Sequence, residues 1–227
     1  MHDRDAWAGD LSTAAGRSGN AGGWRFRIAV AVLYGPATRR SLAQFPISGW
    51  PMPARLIAAI ARLQRERATS PAIIAACDEI IAGKHAGEFP VDVFQDGSGK
   101  ATMANVSEVI AAIAGVPVET GSELFEPAMR LSVAEAIRDE LPALAGVSLE
   151  DAGARLQVMA RELASRADDS EIGESVRQVC RWVLSANLTV EAGALPVVAA
   201  QLLESIHLLA NAAGALTRAG IHGKGES

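Results

Sequence analysis

The segment Asp96-Gly97-Ser98-Gly99-Lys100 holds the sequence's best candidate for chemistry. Two glycines two residues apart can take backbone angles that expose successive N–H groups, and the helix expected next points its positive end at the same space. Gly97, Ser98, Gly99 and Lys100, with Thr102 and Asn105 downstream, therefore form a candidate cradle for a carboxylate or phosphate. The backbone would hold the anion, Ser98 and Thr102 would add hydroxyl donors, and Lys100 would add charge. A plain tight turn before a helix accounts for the same residues equally well.

Two sharper motifs fail at this position. A nucleotide-binding phosphate loop needs a glycine where Phe94 stands and a hydroxyl residue where Ala101 stands. A calcium loop starting at Asp92 would put Phe94 and Met103 where oxygen ligands belong. The histidines are His2, His85, His207 and His222, and no two have the spacing of a helical zinc pair. His85 is the titrating group expected nearest the loop, and His207, within an apolar stretch, is expected in a core or an interface. Cys77 and Cys180 lie in apolar helical patterns with no ligand partner, as buried thiols of a reducing cytoplasm would. Neither a metal nor a cofactor is expected.

Several function classes are disfavoured by bulk properties. The net charge is −5 and no basic run exceeds Arg39-Arg40, so nucleic-acid binding lacks electrostatic support. The N-terminal segment shows no continuous apolar run, and no stretch has the roughly 18 uninterrupted apolar residues of a membrane span. A cytoplasmic protein without nucleic-acid or membrane partners is the expectation. Aromatics make up only 4% of the chain while Ala and Leu abound, which favours packed helices over a β-sandwich.

The elements follow from periodicity. Residues 1–28 lack it and read as a mobile leader, pinned at its end by Trp24 and Phe26. Ile28 to Tyr34 is the best strand candidate, closed by Gly35 and Pro36 and followed by a proline-rich loop. Helices are expected over Ala54–Arg67, from Pro71 behind an Ser70 N-cap to a stop at Gly83, and over about Met103–Ala114. Beyond Pro117 they lengthen: about Leu124–Leu141, Leu149–Ala167, Ile172–Leu188 and Val197–Thr217. The last has an apolar stripe broad enough to be covered on more than one side.

The run Phe89-Pro90-Val91-Asp92-Val93-Phe94-Gln95 before Asp96-Gly97-Ser98-Gly99 resembles the approach to the first substrate loop of the fumarase/aspartase family. That loop reads Thr-Gly-Ser-Gly-Thr and continues to Asn-Met-Asn and a Glu-Val helix; Asn105, Glu108, Val109 and Ile110 keep the continuation. Three more blocks agree in order. Leu33-Tyr34-Gly35, Thr38-Arg39 and Phe45-Pro46-Ile47-Ser48-Gly49 resemble the family's N-terminal block. Ala128 to Leu131, with Ala134-Glu135-Ala136 and Arg138-Asp139-Glu140, resembles the start of its first central helix. Val179-Cys180, Leu188 to Gly193 and Leu202 to Leu209 resemble a later one.

The resemblance implies an all-α fold in which a small helical N-terminal head, residues 29–118, precedes a truncated long-helix bundle of the fumarase/aspartase type over 119–219, with a tail at 220–227. It also implies reversible elimination giving fumarate, run in tetramers whose active sites draw on three chains. Carried across residue by residue, much of that chemistry is substituted here. Asp96 and Lys100 replace the two threonines of the first loop, and Met103-Ala104 replaces Asn-Met. The second loop should hold Ser-Ser-Asn-Asp or Ser-Thr-Asn-Asp, and Thr120-Gly121-Ser122-Glu123 stands there. Gly-Arg-Thr-His occurs nowhere. The loop with the family's catalytic serine should lie just before Val176, where Asp168 to Ser175 lacks its lysine and asparagine; Ser170 there suits a helix N-cap. The expectation is a repurposed member that binds or transforms a small carboxylate without the ancestral catalytic set. The alternatives are a non-catalytic partner of a full-length lyase, assembled as a homo- or hetero-oligomer through the bundle helices, and a weak residual lyase.

Overall fold

In the computed structural model, residues 32–190 and 193–221 are described. The expected leader, the Trp24 and Phe26 anchors, the first part of the expected strand and most of the tail lie outside them. Eight α-helices carry the fold: α1 (Pro36–Gln44), α2 (Ala54–Arg67), α3 (Pro71–Ile81), α4 (Lys100–Ala114), α5 (Phe125–Glu140), α6 (Leu149–Arg166), α7 (Glu171–Ser185) and α8 (Leu195–Arg218). Among the described residues there is no strand, only an isolated antiparallel bridge between Pro51 and Asp92. Val32–Tyr34, the described part of the expected strand, is irregular. The Leu33 N–H donates to the Glu88 carboxylate at 2.7 Å instead of to a neighbouring strand.

α1 is absent from the periodicity because it has almost no apolar face; only Thr38 is buried. Its start is fixed from α4. The Glu108 carboxylate accepts the N–H groups of Gly35 (2.9 Å), Ala37 (2.7 Å) and Thr38 (3.0 Å), and the Thr38 hydroxyl at 2.7 Å. A negative group at a helix N-terminus satisfies donors that have no partner inside the helix. Here it comes from about 70 residues away, where local pattern cannot show it.

α2 buries Leu56, Ile57 and Ile60 against α3 and α5, and α4 packs on α1 and α3. Ser70 sits at the N-cap of α3 as expected, but its side chain makes no capping bond; Pro71 opens the helix. α4 begins at Lys100, three residues before its expected start. α6, α7 and α8 pack on one another, and α5 joins them to the head by contacting both α2 and α8. The division expected at 118/119 separates no two cores: Leu56, Met103, Phe125, Leu156 and Leu202 belong to one buried cluster, and residues from Val32 onward form one compact unit. Cys77 and Cys180 are both buried and unbridged, and burial pushes the Cys77 thiol up to about 11.

α8 is long and apolar enough to cross a membrane by length and composition, with a mean hydropathy of 1.3. Its stripe of Leu202, Ile206, Leu209 and Leu216 is buried here against α5, α6 and α7, as in the core helix of a globular protein. His207 is not in the core, one of the two places expected for it. It is 60% exposed, with Nδ1 3.0 Å from Glu140 and Nε2 3.0 Å from Asn211. Helical spacing places it on the polar face, three and four residues from the exposed Glu204 and Asn211.

Candidate functional site

The glycine loop bridges a buried turn and the start of α4. Its amides already have an acceptor. The Asp96 carboxylate takes the N–H of Ser98 (3.2 Å), Lys100 (3.1 Å) and Ala101 (3.0 Å), and the Ser98 hydroxyl donates to it as well. Burial works against the charged form of Asp96, but these bonds outweigh it and hold the carboxyl below the usual aspartate range. The chain thus supplies its own carboxylate to the cradle anticipated from the glycine spacing.

Packing closes the same loop. Gly97 lies against the Gly193 backbone so closely that a methyl group there would overlap the Gly193 carbonyl. The Gly97 carbonyl accepts from Leu195 N–H at 3.1 Å, which ties the loop to the first turn of α8. Gly99 takes φ +79°, and a side chain on it would run into the Phe125 ring. The glycines serve close approach and a left-handed turn.

The other expected site residues are dispersed. Thr102 is buried, and Gln95 brackets it: Thr102 N–H donates to Gln95 Oε1 at 2.9 Å, and Gln95 Nε2 to Thr102 Oγ1 at 2.8 Å. Asn105 is buried, its amide donating to the Glu88 carbonyl at 2.9 Å. Lys100 is exposed, and its amine makes no ion pair among the described residues. His85 follows α3 in a left-handed conformation (φ 63°), with Nε2 2.7 Å from Glu79. Its hydrogen bond faces α3 and not the glycine loop. Gly97, Ser98, Gly99 and Lys100 therefore share one loop, while Thr102, Asn105 and His85 point to other partners.

The positions matched to the family's other loops are also internally engaged. The carbonyls of Glu119 and Thr120 accept from Gln64 and from Ser107, each at 3.4 Å, and Glu123 pairs with Arg67. Ser170 caps α7 as expected, its hydroxyl oxygen accepting from Gly173 N–H at 3.1 Å.

Sequence reasoning missed a second feature beside the loop. Buried Asp92 accepts from the N–H groups of Ser48 (2.6 Å), Gly49 (2.7 Å) and Phe94 (2.8 Å), and from the Ser48 hydroxyl at 2.8 Å. It thereby locks the 48–53 loop to residues 92–94. Trp50 and Phe94 project from this knot and, with Trp182 of α7 and Glu204 of α8, line a cleft of ≈ 440 Å³. Sequence offered one hint: four exposed-type turn residues around a tryptophan in a chain with so few aromatics.

Comparison with known proteins agrees with the helical fold. A family model described as Lyase matches residues 24–174. The chain is 36% identical over 150 residues to a class II fumarate hydratase of Nitrosomonas europaea, covering 52% of this chain and 32% of that protein. It is 32% identical over 154 residues to the class II fumarate hydratase of Halobacterium salinarum, covering 60% and 33%. The chain therefore spans about a third of the length of the curated relatives it matches. Among solved structures, a fumarate lyase:delta crystallin from Brucella melitensis superposes with a TM-score of 0.65 at 19% identity, covering 85% of each chain. A class II fumarase from Schistosoma mansoni gives 0.59 at 15% identity, covering 83% of this chain and 80% of that one. These structural likenesses establish a shared helical fold.

Proposed function

We propose that this chain, which belongs to the fumarase/aspartase superfamily of lyases, acts through its helix faces as an interaction subunit and not through the superfamily's elimination chemistry. The Asp96 carboxylate on the glycine-loop amides carries the reading. An incoming carboxylate would meet a fixed negative charge where it needs free donors, and both the repulsion and the lost donors oppose binding. Elimination also requires groups that hold the developing dianion and a base near it. The positions that resemble the base loop form a helix cap at Ser170.

The interaction half of the reading draws on α7. One stripe, Gly173, Val176, Cys180 and Val183, is buried in this chain. A second, at Ile172, Ser175 and Val179, repeats with heptad spacing and faces an open groove of ≈ 420 Å³ floored by Leu208 and Ala215 of α8. Ile172 is 42% exposed. An amphipathic helix with a second face carrying Ile172 and Val179 suits pairing with a second helical subunit. Light scattering on the purified chain is expected to give a dimer or larger species, and Ile172→Glu with Val179→Glu a monomer. Co-elution with a class II fumarate hydratase would identify a hetero-assembly. Malate, aspartate and argininosuccinate are expected to give no absorbance change at the fumarate band. Turnover of any of them would overturn the proposal.

A second reading, binding of a small carboxylate at the loop, draws on the exposed Lys100 amine, which makes no ion pair among the described residues. It requires Asp96 to leave its amides. A thermal shift with succinate that disappears in Lys100→Ala would favour it over the subunit reading.

A further inference from the structure

The cleft beside the glycine loop is separate from that loop but adjoins the α7 stripe proposed for pairing: Trp182 stands three residues beyond Val179, and Leu208 lines both spaces. Trp50 (65% exposed), Phe94 (41%) and Trp182 (41%) are among the most exposed large hydrophobic side chains described, and all three line this one space. They come from two directions. Trp50 and Phe94 stand on the knot held by Asp92, which is further fixed by Val93 N–H donating to the Trp50 carbonyl at 2.9 Å. Trp182 stands on the last turns of α7, with Gln201 and Glu204 of α8 completing the wall.

The lining has a definite electrostatic sense. Among the described residues Glu204 is the only ionisable one in the lining, and it makes no ion pair there. Aromatic ring faces carry negative potential, so rings and carboxylate favour the same sign of ligand. An anion would lie beside Glu204 with no positive group to hold it. A bare metal ion favours several charged oxygen ligands, and among the lining side chains only Glu204 and the Gln201 amide offer oxygen. A neutral apolar molecule would make no use of Glu204, whose exposed carboxylate would stay in water. An alkylated ammonium satisfies both features, since it is a weakly hydrated cation with an apolar surface. The cleft volume lies within the range of about 300–1,000 Å³ typical of small-molecule sites.

We infer that this cleft binds a small organic cation carrying an alkylated ammonium group, with Trp50, Phe94 and Trp182 packing on its methyl groups and Glu204 balancing its charge. Asp92 is a positioning residue, which orients two of the three rings and does not touch the ligand.

Calorimetric titration of the full chain at low salt tests this, with choline as the probe. Its neutral carbon isostere 3,3-dimethylbutan-1-ol and the dianion succinate serve as controls. Saturable choline binding is expected, with the isostere at least about tenfold weaker and no binding of succinate. Glu204→Gln should weaken choline about tenfold, and Trp182→Leu by about the same or more. Both side chains are exposed or half-exposed, so circular dichroism should show each variant folded. Equal binding of choline and the isostere would reduce the cleft to an apolar slot and overturn the inference, as would an absence of saturable choline binding. If Trp182→Leu instead splits an assembly by light scattering, the cleft is a subunit contact and the inference falls. Because Trp182 and Leu208 adjoin the pairing face, the titration is repeated on the Ile172→Glu, Val179→Glu variant: unchanged choline affinity in a monomer supports the cleft as a site of its own, and binding lost together with the assembly overturns the inference.

Discussion

The loops of the head and the helices of the C-terminal half are held by opposite means. Around α1 and α4, three carboxylates gather backbone amides: Glu108 closes the start of α1, Asp92 knots residues 48–53 to 92–94, and Asp96 fills the glycine loop. Between α6 and α8 the work falls to apolar stripes, with serine caps at Ser148 and Ser170 and exposed ion pairs such as Arg181–Glu174. The difference shows where ligand chemistry can survive. A loop built on its own acid has given most of its backbone donors to that acid, whereas helices built on stripes keep apolar surface in reserve.

That contrast can be broken by mutation, and the largest effect should come from the apolar half. Leu202→Ala removes a fully buried side chain of α8, and its expected cost is about 4 kcal/mol by denaturant unfolding, with little dependence on pH. Next is Gly97→Ala, at the seam between the two regions. The added methyl meets the Gly193 backbone, which cannot rotate away; about 3 kcal/mol is expected, and a well-behaved, undiminished protein would refute the close approach.

Glu108→Gln should cost less, about 2 kcal/mol at pH 7 after allowing for solvent screening of a half-buried group. Here pH distinguishes the two regions. Burial disfavours the Glu108 charge, and the Thr38, Ala37 and Gly35 donors outweigh it, so the folded pKa lies below the usual glutamate range. A depressed carboxyl pKa contributes fully above the unfolded value, near 4.3, and its contribution is lost as pH falls through the folded value. The gap between wild type and Glu108→Gln should therefore begin to close below the unfolded value and vanish only once pH has fallen below the depressed folded value, while the Leu202→Ala gap persists. A pH-independent gap for Glu108→Gln would show that its carboxylate is not what holds α1. The smallest effect is expected from Ser170→Ala, about 1 kcal/mol for a lost helix cap, measured as a shift in thermal midpoint.

Much of the fold could be read from the chain. α2 spans Ala54–Arg67 as its periodicity indicates, and α5 to α8 lie within a few residues of their expected positions. Each carries a stripe long enough to announce itself, and Ser170 announces its own cap. α1 was hidden because its stabilising acid is on another helix. The three extra residues at the front of α4 were hidden for a related reason, since its cap is Asp96 reaching forward over Lys100 and Ala101. An Asp-Gly-Ser run before a helix is a recognisable capping pattern, and that signal was available.

The sequence by itself determined the helical class, the family and the substitutions at the glycine loop, because periodicity and collinear motifs are properties of the chain alone. Only the tertiary structure decided what those residues touch. Whether an aspartate beside two glycines reacts, binds or simply caps depends on where its carboxylate points, and Asp96 points at its own amides. The aromatic cleft was decided in the same way, since Trp50, Phe94 and Trp182 are far apart in sequence and meet only where the head folds against α7 and α8.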